Sequence, residues 1–231
     1  MTVPSLHLVL LGSGKTGSVV AEVAAERGHR TTVLTEVENP YGAWLTLDNL
    51  SNVDVVIDFT TPSAVLANIA HCLGAGKAMV VGTTGWYGEL DRIKREVEQA
   101  GTAFVFGSNF SYGVNLFFQI ARAAAPALQH GYAGHITETH HVHKKDAPSG
   151  TAIALQKVVA QASGVQAEIT SVREGEVVGI HSLELDSTGD RIVLTHEVKS
   201  RRTFAVGAVL AAEWIVGKTG FYDFKDIFSQ L

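Results

Sequence analysis

The run Gly12-Ser13-Gly14-Lys15-Thr16-Gly17 constrains the fold of this 231-residue chain more than any other feature. It fits G-x-G-x-x-G and stands between an apolar run, Leu6–Leu11, and a stretch with helical apolar spacing at Val19, Val20, Val23 and Ala24, stopped by Gly28. In that setting the glycines permit a tight strand-to-helix turn and close approach to the backbone. The helix start offers amide donors and a positive dipole end to a pyrophosphate. An acidic residue should close the second strand to accept ribose hydroxyls, and Glu36 lies 19 residues beyond Gly17. The embedded Gly-Lys-Thr invites a P-loop reading, which needs a glycine five positions before Gly14; Val9 stands there. Dinucleotide binding is therefore the reading, beside the plainer one of a tight turn with no ligand. Glu36 is followed by Val37, and no arginine occurs between Arg30 and Arg92. A carboxylate there repels a 2′-phosphate, which predicts NADH over NADPH unless Lys15 or a distant arginine compensates.

Downstream, strands and helices alternate. Thr31–Thr35, Val53–Phe59, Ala78–Val81 and Thr102–Phe106 read as further strands, with helices over about Ser18–Arg27, Ser63–Gly74 and Glu89–Ala100. Near-continuous apolar strands between helices predict a parallel sheet covered on both faces. Ligands of such sheets bind at the carboxyl ends of the strands, which brings Phe59-Thr60 and Gly82-Thr83-Thr84-Gly85 into view.

After Asn109 the pattern changes. A helix at about Val114–Leu128 is followed by strand-like His135–His141, Ile169–Arg173, Gly179–Leu185 and Arg191–Val198, with one helix at about Thr151–Ala162. Thr203–Val216 is helical and strongly apolar, fit to return onto the first domain. The predicted fold class is α/β: an N-terminal Rossmann-type dinucleotide-binding domain (1–111 plus 202–231) and a second α+β domain (112–201) on a mixed sheet, for substrate binding and oligomerisation.

Composition narrows the function. A net charge of −5, with no basic stripe, argues against nucleic acid as a partner. No apolar run is long enough to span a bilayer, and Met1–Leu11 lacks the features of a signal peptide. Cys72 is the single cysteine, so no disulfide forms within the chain; it reads as a small core residue in a reducing compartment, and the expected location is cytoplasmic.

Chemistry concentrates in Glu138–Thr151, where three histidines and two lysines precede Pro148-Ser149-Gly150-Thr151 at a helix start. Histidine donates protons near neutral pH. Lysine supplies charge for a carboxylate, and a capped helix start with free amides forms an anion site. A small acidic substrate fits such a pocket; a solvated polar turn is the bland alternative. No metal is expected, because His140 and His141 on a strand point to opposite faces. Ser149 is not in a G-x-S-x-G elbow and is not expected to act as a nucleophile.

Glu138–Ala152 resembles the signature of the 4-hydroxy-tetrahydrodipicolinate reductase (dihydrodipicolinate reductase) family, E-x-H-H-x-x-K-x-D-A-P-S-G-T-A, at every fixed position. Further resemblance lies in Asp58-Phe59-Thr60, Gly82–Gly85, Ser108-Asn109-Phe110-Ser111, Gly113-Val114-Asn115, Arg173-Glu174-Gly175, Ser200-Arg201 and Thr203-Phe204. The turn is Gly-Lys-Thr-Gly where common members have Gly-Arg-Met-Gly, and the stretch between Glu36 and Val53 is short. The resemblance implies reduction of 4-hydroxy-tetrahydrodipicolinate with loss of water in diaminopimelate and lysine synthesis, NADH or NADPH as cofactor, a small dicarboxylate substrate, and a homotetramer. It makes His140 the proton donor and Lys144 the second catalytic residue, with His141, Ser149, Gly150 and Thr151 at the substrate carboxylates. Gly12, Gly14, Lys15, Thr16, Gly17 and Glu36 form the expected cofactor turn and ribose contact. Phe59, Thr60, Gly82, Thr83, Thr84, Ser108, Asn109, Phe110, Arg201 and Phe204 complete the expected cofactor set. His143 has no implied role. The rivals are another two-domain amino-acid dehydrogenase, which does not require the Asp-Ala-Pro-Ser-Gly-Thr cluster, and a dinucleotide-sensing regulator without turnover.

Overall fold

A computed structural model describes residues 4–231. The chain divides into two compact units: one runs to Tyr112 and resumes over Arg202–Leu231, and the other is Gly113–Arg201.

In the first unit, β1 (His7–Leu11), β2 (Arg30–Leu34), β3 (Val55–Asp58), β4 (Ala78–Val81) and β5 (Ala103–Phe106) alternate with α1 (Gly17–Glu26), the short α2 (Leu47–Leu50), α3 (Pro62–Gly74) and α4 (Leu90–Ala100). Successive residues of β1 serve opposite faces of the sheet. Leu8 and Leu10 join a core with Val20 and Val23 of α1, while Val9 and Leu11 join one with Ile69 of α3 and Ile93 of α4. Burial on both faces explains the unbroken apolar runs in the sequence. Cys72 lies fully buried in the second of these cores, where burial pushes its thiol well up.

Residues 202–231 complete this unit with two helices and a strand. Helix α7 (Arg202–Ile215) buries Ala205, Ala208, Val209, Ala212 and Ile215 in the first core. Gly207 lets it approach the loop after β5, since a Cβ there would stand 1.8 Å from the Phe110 carbonyl oxygen. Strand β10 (Gly220–Asp223) then pairs with β5, giving an all-parallel sheet of order β10-β5-β4-β3-β1-β2. This sixth strand is absent from the sequence reading: four residues, Gly-Phe-Tyr-Asp, are too few to display a period. The short α8 (Phe224–Ile227) follows, capped by the Asp223 carboxylate, which accepts from Lys225 N at 3.1 Å.

In the second unit, α5 (Tyr112–Ala124, beginning at the boundary) leads to β6 (Ala133–His140), α6 (Gly150–Ser163), β7 (Glu168–Arg173), β8 (Ile180–Asp186) and β9 (Arg191–Glu197). The expected helix to Leu128 is corrected here. The α-helix stops at Ala124 and a 3-10 segment covers Ala125–His130, because Pro126 lacks an amide hydrogen and crowds the preceding turn. The mixed sheet has order β7-β6-β8-β9, with β6 and β7 parallel and the other pairs antiparallel. Its register sets residues in rows. Ile169, Ile136, Leu183 and Leu194 lie side by side and pack in the core with Phe117 and Leu155. Two residues along, on the same face, the row is Ser171, Glu138, His181 and His196. The covered face thus changes from apolar to titratable within one pleat.

Candidate active site

In the first unit the glycine turn is fixed by backbone crowding. Gly12 has φ +96°, and a Cβ on it would lie 2.3 Å from the Phe59 carbonyl oxygen. Gly17 is the first residue of α1, and a Cβ there would lie 2.0 Å from the Gly12 carbonyl oxygen. Gly14 has open space around it, so the turn does not sterically require that glycine. Two hollows flank the turn and share Gly14, Phe59 and Thr60. One of about 270 Å³ also takes in Lys15, Thr16, Gly17, Gly82, Thr83 and Thr84. The other, about 430 Å³, runs past Gly12 to Glu36 at the end of β2 and is also lined by Asn39, Tyr41 and Asn68. Glycine amides at one end and a carboxylate at the other fit a dinucleotide.

Behind these hollows sits a buried carboxylate that the sequence reading left out of the site. Asp58 is fully buried, and its Oδ1 accepts from Thr60 N at 2.9 Å, Thr60 Oγ1 at 2.7 Å and Thr83 Oγ1 at 2.6 Å. Its Oδ2 accepts from Asn68 Nδ2 at 2.8 Å, and Asn39 Nδ2 donates to Asn68 Oδ1 at 3.1 Å. The network ties the ends of β3 and β4 to the loop after β2. It also changes the expected part of Thr83, whose hydroxyl donates to Asp58, accepts from Thr60 N at 2.7 Å and so points inward. Ser108, Asn109, Phe110, Arg201 and Phe204 line neither hollow. Phe110 is a core residue, with its ring 4.6 Å from that of Phe224, and Asn109 Oδ1 caps the loop by accepting from Ser111 N at 2.9 Å.

The second unit brings Glu138, His140, Lys144, Ser149 and Gly150 onto one polar end. Glu138 and His140, two apart on β6, share a face, and the His140 Nδ1 is hydrogen bonded to Glu138 Oε2. Arg173, beside His140 in the β6–β7 register, sets a guanidinium nitrogen 2.9 Å from Glu138 Oε1. Another hydrogen bond from it reaches the Asp146 carbonyl oxygen at 2.7 Å. The Lys144 ammonium donates to both Asp146 carboxylate oxygens at 2.9 Å. Ser149 caps α6, its hydroxyl accepting from Ala152 N at 3.2 Å, and lies 3.0 Å from His181 Nε2. Thr151 follows in the first turn, whose amides lack intrahelical partners as at any helix start. His141 follows the last residue of β6, and its amide donates to the Val177 carbonyl at 2.7 Å. His143 sits on the surface, 3.7 Å from the Glu176 carboxylate.

Burial sets the charges. It pushes His140 down, more than the neighbouring Glu138 carboxylate raises it, and holds His181 down to about 4; His196 is lowered for the same reason. Burial alone would raise Glu138, but hydrogen bonds from Arg173, Ser171 and His140 together hold it below the usual carboxylate range. Glu138, His140 and His181 bring side-chain atoms within 4.8 Å of one another, across β6 and β8. The Arg173 charge beside Glu138 opposes a second cation there. Glu138, Arg173 and His181 are the site residues that sequence reasoning passed over. The i, i+2 spacing of Glu138 and His140 was a usable signal for the first; Arg173 and His181 arrive through strand register.

Two family models together cover most of the chain and meet near residue 112, although the second runs on through residues 202–228, which fold with the first unit. The family "Dihydrodipicolinate reductase, N-terminus" matches residues 6–110, and "Dihydrodipicolinate reductase, C-terminus" matches residues 113–228. A 4-hydroxy-tetrahydrodipicolinate reductase of Christiangramia forsetii is 36% identical, covering 98% of this chain and 99% of its own. That of Nitrosomonas europaea is 34% identical over 96% of this chain and 97% of its own. Among solved structures, a dipicolinate-bound dihydrodipicolinate reductase from Paenisporosarcina sp. TG-14 shares the fold with a TM-score of 0.81 at 20% identity, covering 97% of this chain and 100% of that one. Such membership implies a nicotinamide dinucleotide cofactor, in accord with the glycine turn. Matched in both halves and along nearly its whole length, the chain belongs to the dihydrodipicolinate reductase family.

Proposed function

We propose that this chain reduces 4-hydroxy-tetrahydrodipicolinate to tetrahydrodipicolinate with loss of water, a step of diaminopimelate and lysine synthesis, and that its ligand is a small dicarboxylate. The observation that carries this reading is His140: a buried imidazole held through Nδ1 by Glu138, in the same short run as Lys144 and the α6 start. The reduced nicotinamide supplies a hydride. Lys144, His141 and the Ser149 cap with the Gly150 and Thr151 amides bind substrate carboxylates, as charge-assisted hydrogen bonds at a helix start. His140 donates the proton that balances the hydride. Burial keeps its imidazole neutral in the free site, and a dianion beside it raises its proton affinity, so the acid is loaded together with its substrate. Assembly as a homotetramer belongs to the same proposal; its support is the face of the second sheet bearing Thr137, Ser182 and Thr195, which α5 and α6 do not cover.

For the cofactor we propose NADH before NADPH. Glu36 lines the ribose end of the larger hollow, Val37 is 88% exposed, and the Glu38 carboxylate is held nearby by Thr35 N at 2.8 Å. Two carboxylates and no guanidinium at the end of β2 disfavour a 2′-phosphate.

The test is turnover of enzymatically generated substrate, followed by loss of nicotinamide absorbance with NADH and NADPH separately. His140→Ala is expected to lower kcat by about a hundredfold or more while NADH affinity stays within about twofold. Near-normal turnover in that variant removes His140 from the reaction. Oxidation of neither cofactor by the unaltered protein removes the reaction itself.

A further inference from the structure

Resting on the reading of His140 and Lys144 as catalytic, we infer that Arg173 is a positioning residue for both, acting on His140 through the Glu138 carboxylate and on the Lys144 segment through the Asp146 backbone. Its guanidinium stands where the two meet. One nitrogen lies 2.9 Å from Glu138 Oε1 and donates to the Asp146 carbonyl at 2.7 Å, while the other anchors the fork on the Val172 carbonyl at 2.7 Å. Asp146 in turn holds Lys144 through its side chain.

Glu138 has no exposure to solvent, and a carboxylate in that position takes up a proton unless a permanent cation faces it. Arginine stays charged under all conditions the protein meets, and its planar fork serves several acceptors at once, which an ammonium on a flexible stem does not. An ionised Glu138 accepts the Nδ1 proton of His140, which leaves Nε2 as the working nitrogen. That atom faces Gly179, where a Cβ would stand only 3.0 Å away, so the glycine keeps it clear. The charged and titratable groups around His140 are Glu138 on its own strand, Arg173 on β7, His181 on β8 with its ring 5.1 Å away, and Lys144 from the following turn. Glu138 favours the protonated ring, whereas Arg173 and Lys144 oppose it.

The dependence of the His140 proton on an ionised Glu138 makes the inference testable. In Glu138→Gln the alkaline limb of kcat should move to lower pH, because the group that favours imidazolium has lost its charge. In Arg173→Met the limb should also move to lower pH, because Glu138 without a facing cation takes up a proton and no longer favours imidazolium. Both variants should lose about tenfold or more in kcat, with NADH affinity unchanged, and Arg173→Lys should fail to restore it. Nitrogen-15 NMR of the imidazole should show the Nδ1–H tautomer of His140 in the unaltered protein and a mixture in Glu138→Gln. Should Arg173→Met not fold, Glu138→Gln and Arg173→Lys decide by the same measurements. Turnover surviving in His140→Gln would overturn the catalytic reading itself. If His140 is required but the limb and tautomer do not move in the Glu138 and Arg173 variants, the positioning role is wrong and the catalytic reading stands.

Discussion

The two units build their candidate sites from different material. In the first, Gly12, Gly17 and Gly82 stand where any side chain would strike backbone or the Phe59 ring, and the hollows exist because those side chains are missing. In the second, Glu138, His140, Arg173 and His181 come from three strands, and the site's chemistry lies in their side chains. A site made of backbone tolerates few substitutions and is indifferent to pH. One made of buried titratable groups tolerates shape changes but answers to protons.

The strongest way to break this contrast is a pair of glycine substitutions. Gly17→Ala should abolish dinucleotide binding, with at least about a hundredfold loss of affinity, since its Cβ meets the Gly12 carbonyl oxygen at 2.0 Å. Gly150→Ala has nothing within 4 Å and should leave folding unchanged. Calorimetric titration with NADH and thermal melts compare the two; equal effects would erase the distinction.

Acid should act on the second unit next. His181 stays neutral in the folded protein down to about 4 but is protonated in the unfolded chain below 6.5. The unfolded state therefore binds more protons in that window, and stability falls as pH drops through it, by at most about 3 kcal/mol. His181→Asn should flatten this dependence in urea unfolding between pH 7 and 4.5. An unchanged slope would assign the acid sensitivity to other groups.

Asp58 sharpens the comparison from the other side, as a buried carboxylate inside the backbone-built site. Asp58→Asn replaces one acceptor oxygen by an NH2, so that whichever way the amide turns a donor meets a donor, and should cost about 2 kcal/mol in urea midpoint stability, with the loops after β3 and β4 loosened. Smallest is Val37→Arg, which should improve NADPH affinity by roughly tenfold, measured against NADH by fluorescence titration.

The same contrast governs what could be read in advance. The glycine turn, Glu36 and the alternating strands of the first unit are local in sequence, as is the capped start of α6 at Ser149. Glu138 next to His140 was also within reach through period-2 spacing. Arg173, His181 and His196 were not, because their meeting depends on which residues of β6, β7, β8 and β9 face one another, a register that no short window contains. The network of Asp58, Asn68 and Asn39 escaped for the related reason that it joins the end of β3, helix α3 and the loop after β2. Phe110 shows that a residue in a loop motif can also serve packing: its ring is buried against Phe224 in the core.

Helix α7 carries a consequence for the order in which the protein is born. The residues that finish the first unit's core, Ala205, Ala208, Val209 and Ile215, are translated only after the whole of Gly113–Arg201. The second unit is a continuous stretch and closes its core while the ribosome is still at work. The nucleotide-binding half leaves the ribosome first and completes its fold last, with the sheet face that bears Leu8, Leu10 and Val105 covered by α1 but not yet by α7 in the interval. Any halt in synthesis between Tyr112 and Arg202 leaves that apolar face open to aggregation or to chaperones, so premature termination harms the first half of this chain more than the second.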